Sequence, residues 1–298
     1  MEINLEGVYD TRFGIPAIYH IARCKACELE QTVPLPTLIE LRSLYADYYN
    51  FGGEKRTIYT GIREWFLFSP LYRLWLGFDG DISFHERNGQ GRLIDIGCNE
   101  GRGLVLYRSR GFEVEGFETN ETAASVARAK GFRIFTDECS TLSQTKPYDV
   151  AVLSNVLEHA LDPGEMLSFV HRILRPGGQV WISCPNVESW LRSLFGRAWI
   201  NWHVPFHLVH FTKYTLTSLL RKYGFEIREA RQKTPALWVA HSIIASLFAK
   251  PGKPTKQLRD PFLIVSLALL IRGLLFPVLW LGNKLGRGDC LVVVAKSM

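Results

Sequence analysis

Between residues 92 and 183 short apolar runs alternate with amphipathic stretches, the pattern of strands and helices taken in turn. Arg92-Leu93-Ile94 reads as a buried strand. It runs into a glycine-rich turn, Asp95-Ile96-Gly97-Cys98-Asn99-Glu100-Gly101-Arg102-Gly103, and then into Leu104-Val105-Leu106-Tyr107, which predicts a helix. Residues 111–118 predict a second strand ending in an acid, residues 121–130 an amphipathic helix, and residues 132–136 a third strand that ends at Asp137. A fourth strand is predicted at 148–153 and a helix at 163–174, which stops at Arg175-Pro176-Gly177-Gly178. Residues 179–183 predict the fifth strand. Five strands alternating with helices predict an α/β fold with a doubly wound parallel sheet.

The turn after the first strand carries the chemistry. Glycines let backbone N–H groups approach a ligand with no Cβ in the way, and a helix N-terminus adds about half a positive charge. Dinucleotide folds use G-x-G-x-x-G with an acid about 20 residues further on. Here an acid, Asp95, precedes the glycines, and they follow as Gly97, Gly101 and Gly103. Glu118 ends the second strand 23 residues after Asp95. A carboxylate there can accept both hydroxyls of a ribose.

The acid-glycine turn, the Tyr148-Asp149-Val150 strand, the Asn155-Val156-Leu157-Glu158-His159 step and the Arg-Pro-Gly-Gly stop resemble class I S-adenosylmethionine-dependent methyltransferases in order and spacing. Phe206-His207-Leu208-Val209-His210-Phe211-Thr212, with a helix at 213–223 capped by Thr212, is similar to the small-molecule subgroup related to ubiquinone-pathway O-methyltransferases and polysaccharide-cluster methyltransferases. The likeness covers residues 90–232 well and the flanks more loosely. It implies a seven-stranded, mostly parallel Rossmann-like sheet. Residues 225–229 and 289–295 supply its final strands, the last one antiparallel. The implied division is an N-terminal extension at 1–85, a cofactor-binding core at 86–232, an apolar helical insertion at 233–288 and the last strand at 289–298.

The resemblance also implies the cofactor, S-adenosylmethionine, and its contacts. Gly97, Gly101 and Gly103 wrap the methionine portion, with Cys98 and Asn99 in the same loop and Asp95 orienting the loop and the ammonium. Glu118, followed by Thr119, meets the ribose. Asp137, with Glu138 as the alternative, meets the adenine amino group, and Ser154 and Asn155 offer main-chain contacts. His159 is expected at the substrate rim as a base or orienting group, with His207 beside it. The ubiquinone-pathway relatives carry an acid where Asn155 stands, and there acid, Glu and His hold a divalent metal. Glu158 and His159 alone are a poor site for a hard cation that takes about six ligands, so no metal is expected. His203, His207 and His210 read as pocket-lining polar groups on an aromatic loop.

Composition and charge narrow the partners. The formal charge of +6 is dispersed, and no recognised nucleic-acid module accompanies it, which disfavours a nucleic acid substrate. Six cysteines show no secreted disulfide framework and no signal peptide is read at the start, so a cytoplasmic location is the expectation. Cys24-Lys25-Ala26-Cys27 is half of a zinc knuckle and reads as a metal-free remnant. Residues 40–50 are expected to form a lid helix over the cofactor. Trp190, Trp199 and Trp202 mark the stretch expected to cover the substrate.

Residues 261–281 are apolar enough to suggest a membrane span. Arg272 interrupts them, and the strands on either side belong to one sheet, so a crossing is not expected. Two readings remain: peripheral membrane contact through 250–281, helped by Lys250, Lys253, Lys256 and Arg259, or packing on residues 237–239 and 243–244 as a subdomain or homo-oligomer face.

The leading functional expectation is O-methylation of a small molecule, a glycan or a lipid-linked intermediate by in-line displacement. The alternative is a cofactor-binding, non-catalytic membrane-associated scaffold. A nicotinamide-dependent dehydratase or epimerase would need a Tyr-x-x-x-Lys pair, which the chain lacks.

Overall fold

The computed structural model describes residues 1–49, 57–137 and 146–298. The N-terminal part holds β1 (Glu2–Tyr9), β2 (Ile18–Arg23) and β3 (Glu30–Val33), followed by α1 (Leu38–Tyr48), α2 (Ile58–Phe68) and α3 (Pro70–Asp79). Next come β4 (Arg92–Ile96), α4 (Arg102–Ser109), β5 (Glu113–Phe117), α5 (Glu121–Ala129), β6 (Arg133–Phe135) and β7 (Tyr148–Ser154). The chain continues through α6 (Pro163–Ile173), β8 (Leu174–Pro185), α7 (Trp190–Phe195), β9 (Val209–His210), α8 (Lys213–Lys222) and β10 (Phe225–Lys233). It closes with α9 (Ala236–Phe248), α10 (Pro261–Lys284) and β11 (Cys290–Ser297).

Seven strands form one sheet in the order β10-β11-β8-β7-β4-β5-β6. β11 runs antiparallel to both of its neighbours, and the other ladders from β8 to β6 are parallel. This is the Rossmann-like sheet expected from the sequence. A strand covered on both faces reads as a continuous apolar run, and β7 (Tyr-Asp-Val-Ala-Val-Leu-Ser) is of that kind. Val152 enters the core on one face with Leu93 and Trp181, while Leu153 enters the other with Ile94 and Leu167. Alternate residues therefore serve opposite layers. α5 covers its side through Ala123, Ala124 and Ala127, all fully buried. α8 starts at Thr212, whose side chain accepts from the Thr215 N–H as the sequence predicts. β4 pairs with β5 on one side and β7 on the other. Strand order reverses there, and doubly wound sheets open a ligand crevice at the carboxyl ends of such strands.

A second sheet was not legible in the sequence: β1-β2-β3-β9, all antiparallel. Gln31 pairs with Val209 and Glu30 with His210, so the N-terminal strands clamp the loop that precedes α8. Cys24 and Cys27 lie in the β2–β3 connection, closed by the Cys24 N–H donating to the Leu29 carbonyl at 2.9 Å.

The stretch marked by the tryptophans reaches the crevice through Asn201 and His203, while the indoles themselves do not line it. Trp199 and Trp202 are fully buried and pack edge to face under the second sheet with Val8, Tyr19 and Ile21. The Trp199 indole donates to Asp289 (2.8 Å) and the Trp202 indole to the Gly196 carbonyl (2.9 Å), so both are spent on tertiary packing. Trp190 rests on Gly282 of α10.

α9 and α10 leave the sheet after β10 and return to it at β11, its antiparallel neighbour. α10 is long and apolar enough to cross a membrane, yet both ends are tied to adjacent strands of one sheet. Its inner stripe, Ala268, Ile271 and Leu279, packs on Ala236, Val239 and Ala240 of α9. Arg272 is buried in this seam, donating to Asp79 of α3 and to the Thr234 carbonyl.

Candidate active site

The crevice at the carboxyl ends of β4 and β7 is a cleft of about 800 Å³, within the range that holds a cofactor and a small acceptor. Gly97, Asn99, Glu118, Thr119, Asn155, His159 and His207 line it.

Local sequence explains the glycine-loop wall of the cleft. Gly97 has φ +71°, and a Cβ there would meet Val156 Cγ2 at 2.7 Å, so only glycine lets the loop pass the turn after β7. Gly101 is left-handed as well (φ +74°), and its missing Cβ lets α4 approach Ala127 of α5. Gly103 gives Asp95 room, with Asp95 Oδ2 only 3.1 Å from where a Cβ would stand. Asp95 is buried behind the loop, and burial, with Glu118 nearby, pushes its carboxyl up to about 8.

Glu118 sits at the end of β5 and accepts the N–H groups of Asn99 (2.9 Å) and Asn120 (2.8 Å). These bonds fix the carboxylate in the cleft, although burial raises it above the ordinary range. Asn99, Asn155 and His203 all line the cleft with positive φ (50°, 54° and 38°). Such conformations cost energy and gather at functional sites.

The remaining expected residues stand apart from the cleft lining. Cys98 turns its sulfur into the core beside Gly116 and Ile134. The Ser154 hydroxyl turns toward the Ile82 carbonyl and Ser83, leaving only its main chain near the site. Thr136 lines the cleft and Asp137 follows it, while Glu138 lies outside the described residues. His210 bonds Thr32 of β3 (2.9 Å), and its ring serves the second sheet.

The opposite wall comes from the N-terminus. α1 presents Leu41 and Tyr45, four apart on one helical face, and Tyr49 at its C-cap joins them in lining the cleft. The Tyr45 hydroxyl lies 2.9 Å from His159 Nδ1, and the Tyr49 hydroxyl 2.6 Å from His203 Nε2. Phe13 and Phe206 pack against Tyr49. Arg12, in the β1–β2 connection, also lines the cleft, and its buried Nε has no hydrogen-bond partner. Nothing local in the sequence marks Arg12, whereas the Tyr45/Tyr49 spacing was a readable signal.

The histidines are held neutral. Burial is the main cause in each: it takes His159 down to about 4, and His207 and His203 well below their ordinary range. His207 Nδ1 bonds the Asn201 carbonyl at 2.7 Å, which makes that nitrogen the donor and leaves Nε2 its lone pair. His207 Nε2 is 4.0 Å from Glu158. Both Glu158 oxygens are buried without a hydrogen-bond partner, and burial pushes this carboxyl up to about 8. Where the sequence offered two neighbouring ligands, Glu158 and His159, the fold adds His207. Among the described residues these three alone bring a carboxylate oxygen and two imidazole nitrogens within 4.8 Å of one another, a set able to hold a metal ion.

A family model described as a methyltransferase domain matches residues 78–230. The chain is similar to a ubiquinone biosynthesis O-methyltransferase of Pseudomonas aeruginosa, 29% identical over 152 residues, covering 46% of this chain and 66% of that protein. It is also similar to a probable S-adenosylmethionine-dependent methyltransferase of Mycolicibacterium smegmatis, 30% identical over 140 residues, with 46% and 52% covered. Both matches span less than two thirds of the relative's length. Among solved structures, a SAM-dependent methyltransferase from Archaeoglobus fulgidus aligns at 22% identity and a TM-score of 0.47, covering 81% of this chain and 100% of that one.

Proposed function

The chain belongs to the methyltransferase-domain family, and from that premise we propose that it transfers the methyl group of S-adenosylmethionine to a small-molecule acceptor, with a hydroxyl as the receiving group. The observation that carries this reading is the wall formed by Gly97, the left-handed Asn99 and the Glu118 carboxylate that the Asn99 and Asn120 amides fix in the cleft. A Cβ at Gly97 would collide with Val156, so that part of the wall is kept as bare backbone.

Bound S-adenosylmethionine supplies a methyl group on a sulfonium, open to in-line attack. The Glu118 carboxylate accepts the ribose hydroxyls, and Thr119 lies beside it. Asp137 is assigned to the adenine amino group. Asn155, just after Ser154 at the end of β7, lines the cleft and would meet the methionine end, with Asp95 supporting the loop from behind.

The chain's largest contribution is orientation, which is worth about 7–11 kcal/mol when a nucleophile is held in line. His159 adds proton transfer. Burial keeps its ring neutral, so that a lone pair is available, and the Tyr45 hydroxyl lies against its Nδ1 beside it in the cleft wall. Tyr45 passes its proton to His159 as it takes the acceptor's, and His207 holds its Nε2 lone pair on the same side. A base of this kind adds roughly 10²–10⁴-fold. Arg12 gives the acceptor end a cation, which favours an acceptor with an anionic group.

Calorimetric titration with S-adenosylmethionine and S-adenosylhomocysteine, beside a Glu118→Ala variant, tests the reading. Micromolar binding that the variant loses is the expected result. A folded wild-type protein that binds neither compound overturns it.

A further inference from the structure

We propose that α2, α3 and α10 form a single apolar platform that docks on the surface of an anionic lipid bilayer without crossing it. This goes beyond the methyl-transfer reading and does not depend on it.

A surface helix ordinarily turns polar residues to solvent. α10 does the reverse. From residue 261 to residue 283 its one charged residue is Arg272, and that side chain is buried against Asp79. The positions facing outward, Phe262, Leu269, Leu270, Leu274, Val278 and Trp280, are exposed and apolar, Leu274 to 70%. α2 buries none of its residues and presents Ile58 (83% exposed), Ile62, Trp65 and Phe68, while α3 presents Leu71, Leu74 and Phe78. Ring contacts make the three helices one surface: Tyr59 of α2 meets Phe262 (6.0 Å between centroids), and Phe78 of α3 meets Phe276 (5.8 Å). Apolar patches of this extent mark an interaction face.

Charge identifies what covers it. Lys250, Lys253, Lys256 and Arg259 precede α10, Lys284 and Arg287 follow its outward face, and all six are exposed. Against them residues 250–287 hold one acid, Asp260, whose carboxylate is occupied in capping α10 through the Phe262 and Leu263 N–H groups. α2 and α3 add Arg63 and Arg73 against Glu64 and Asp79, the latter buried on Arg272. An apolar face bracketed by cations matches acyl chains beneath anionic headgroups. A second copy would bring the same cations against one another. Lys284 lies over the Trp280 ring (5.7 Å), an arrangement in which the indole sits at headgroup depth and the ammonium reaches water. The antiparallel pairing of β10 with β11 keeps both ends of the segment on one side of the bilayer. One helix separates the platform from the cleft: α9 packs Val239 and Ala240 on α10 and lines the cleft with Trp238.

The test is flotation of the full chain with phosphatidylcholine vesicles and with vesicles containing about one quarter phosphatidylglycerol, where flotation roughly tenfold stronger on the anionic vesicles and weakened by salt is expected. Leu270→Glu combined with Leu274→Glu alters outward positions only, so its melting curve matches the wild type while flotation is lost. The proposal is overturned if the wild type stays unbound with anionic vesicles, or if the double variant floats equally well. It is also overturned if light scattering finds a wild-type dimer that the double variant makes monomeric while neither protein floats, since the face would then belong to a second copy.

Discussion

The Tyr45 hydroxyl lies 2.9 Å from Nδ1 of His159, joining α1 to the turn after β7 across 114 residues of chain. In the proposed reaction the two side chains act as one proton-handling unit at the cleft. Tyr45→Phe keeps the ring packing on Phe206 and removes only the hydroxyl. It should lower kcat by about 10-fold or more while leaving cofactor affinity intact, and His159→Gln should cost up to about 10²–10⁴-fold. Because burial takes His159 down to about 4, the acid limb of kcat/KM should show no break near the ordinary histidine value of about 6.5. Steady-state rates across pH check this, and an unchanged rate and profile in His159→Gln would remove His159 as the base.

How far the sequence reached follows from which contacts are local. Asp95 and Glu118 end neighbouring strands, and the Asp95–Gly116 pairing follows from a strand-turn-helix-strand unit whose signals are contiguous. The loop wall of the cleft was therefore legible. Arg12 reaches the cleft only because β1 to β3 fold back and take β9 into their sheet, a pairing across more than 170 residues with no local mark. Trp199 and Trp202 looked like a substrate cover because aromatics serve either purpose. The buried partner Asp289, which the Trp199 indole finds 90 residues further on, comes from tertiary structure. Likewise α10 was visibly apolar, but its continuity with α2 and α3 depends on ring contacts between the two ends of the chain.

Gly97→Ala tests the cofactor loop. The variant forces a left-handed alanine, which costs about 1–2 kcal/mol, and drives its Cβ to 2.7 Å from Val156 Cγ2. Melting should fall by several degrees, and cofactor affinity should fall more than this stability loss alone explains. Adding Val156→Ala relieves the collision but leaves the φ strain, so melting should recover only in part. Differential scanning fluorimetry with calorimetry separates the two effects. Full recovery in the double variant would mean that the backbone conformation at Gly97 carries no cost.

The Arg272–Asp79 pair ties α10 to α3, with Asp79 also accepting the Ala236 N–H (2.9 Å). Burial holds the Asp79 carboxyl above its ordinary range even beside the guanidinium, the mark of a costly site for charge. Asp79→Ala should destabilise the protein by about 3–5 kcal/mol, because the arginine is left buried and unpaired. Arg272→Met together with Asp79→Leu should recover much of that loss in urea unfolding. A double variant no more stable than Asp79→Ala would show that the pair contributes through its charge and not only by avoiding an orphan.

Glu158 raises the question of what neutralises a buried carboxylate that no hydrogen bond reaches. Burial pushes it from 4.5 up to about 8, so the native state keeps the proton across a range in which the unfolded chain has released it. Native protein then binds more protons than unfolded protein, and stability falls as pH rises from about 4.5 to about 8. Glu158→Gln, shaped like the protonated acid, should flatten that slope in melting curves taken across this window. The same protonation makes an ion unnecessary, so dialysis against a chelator should leave the methyl-transfer rate unchanged. Loss of rate on chelation, restored by a divalent cation and absent in Glu158→Gln, would instead assign His159 and His207 to metal ligation. A cation in that position would take over the neutralising role of the proton and move the melting maximum toward higher pH.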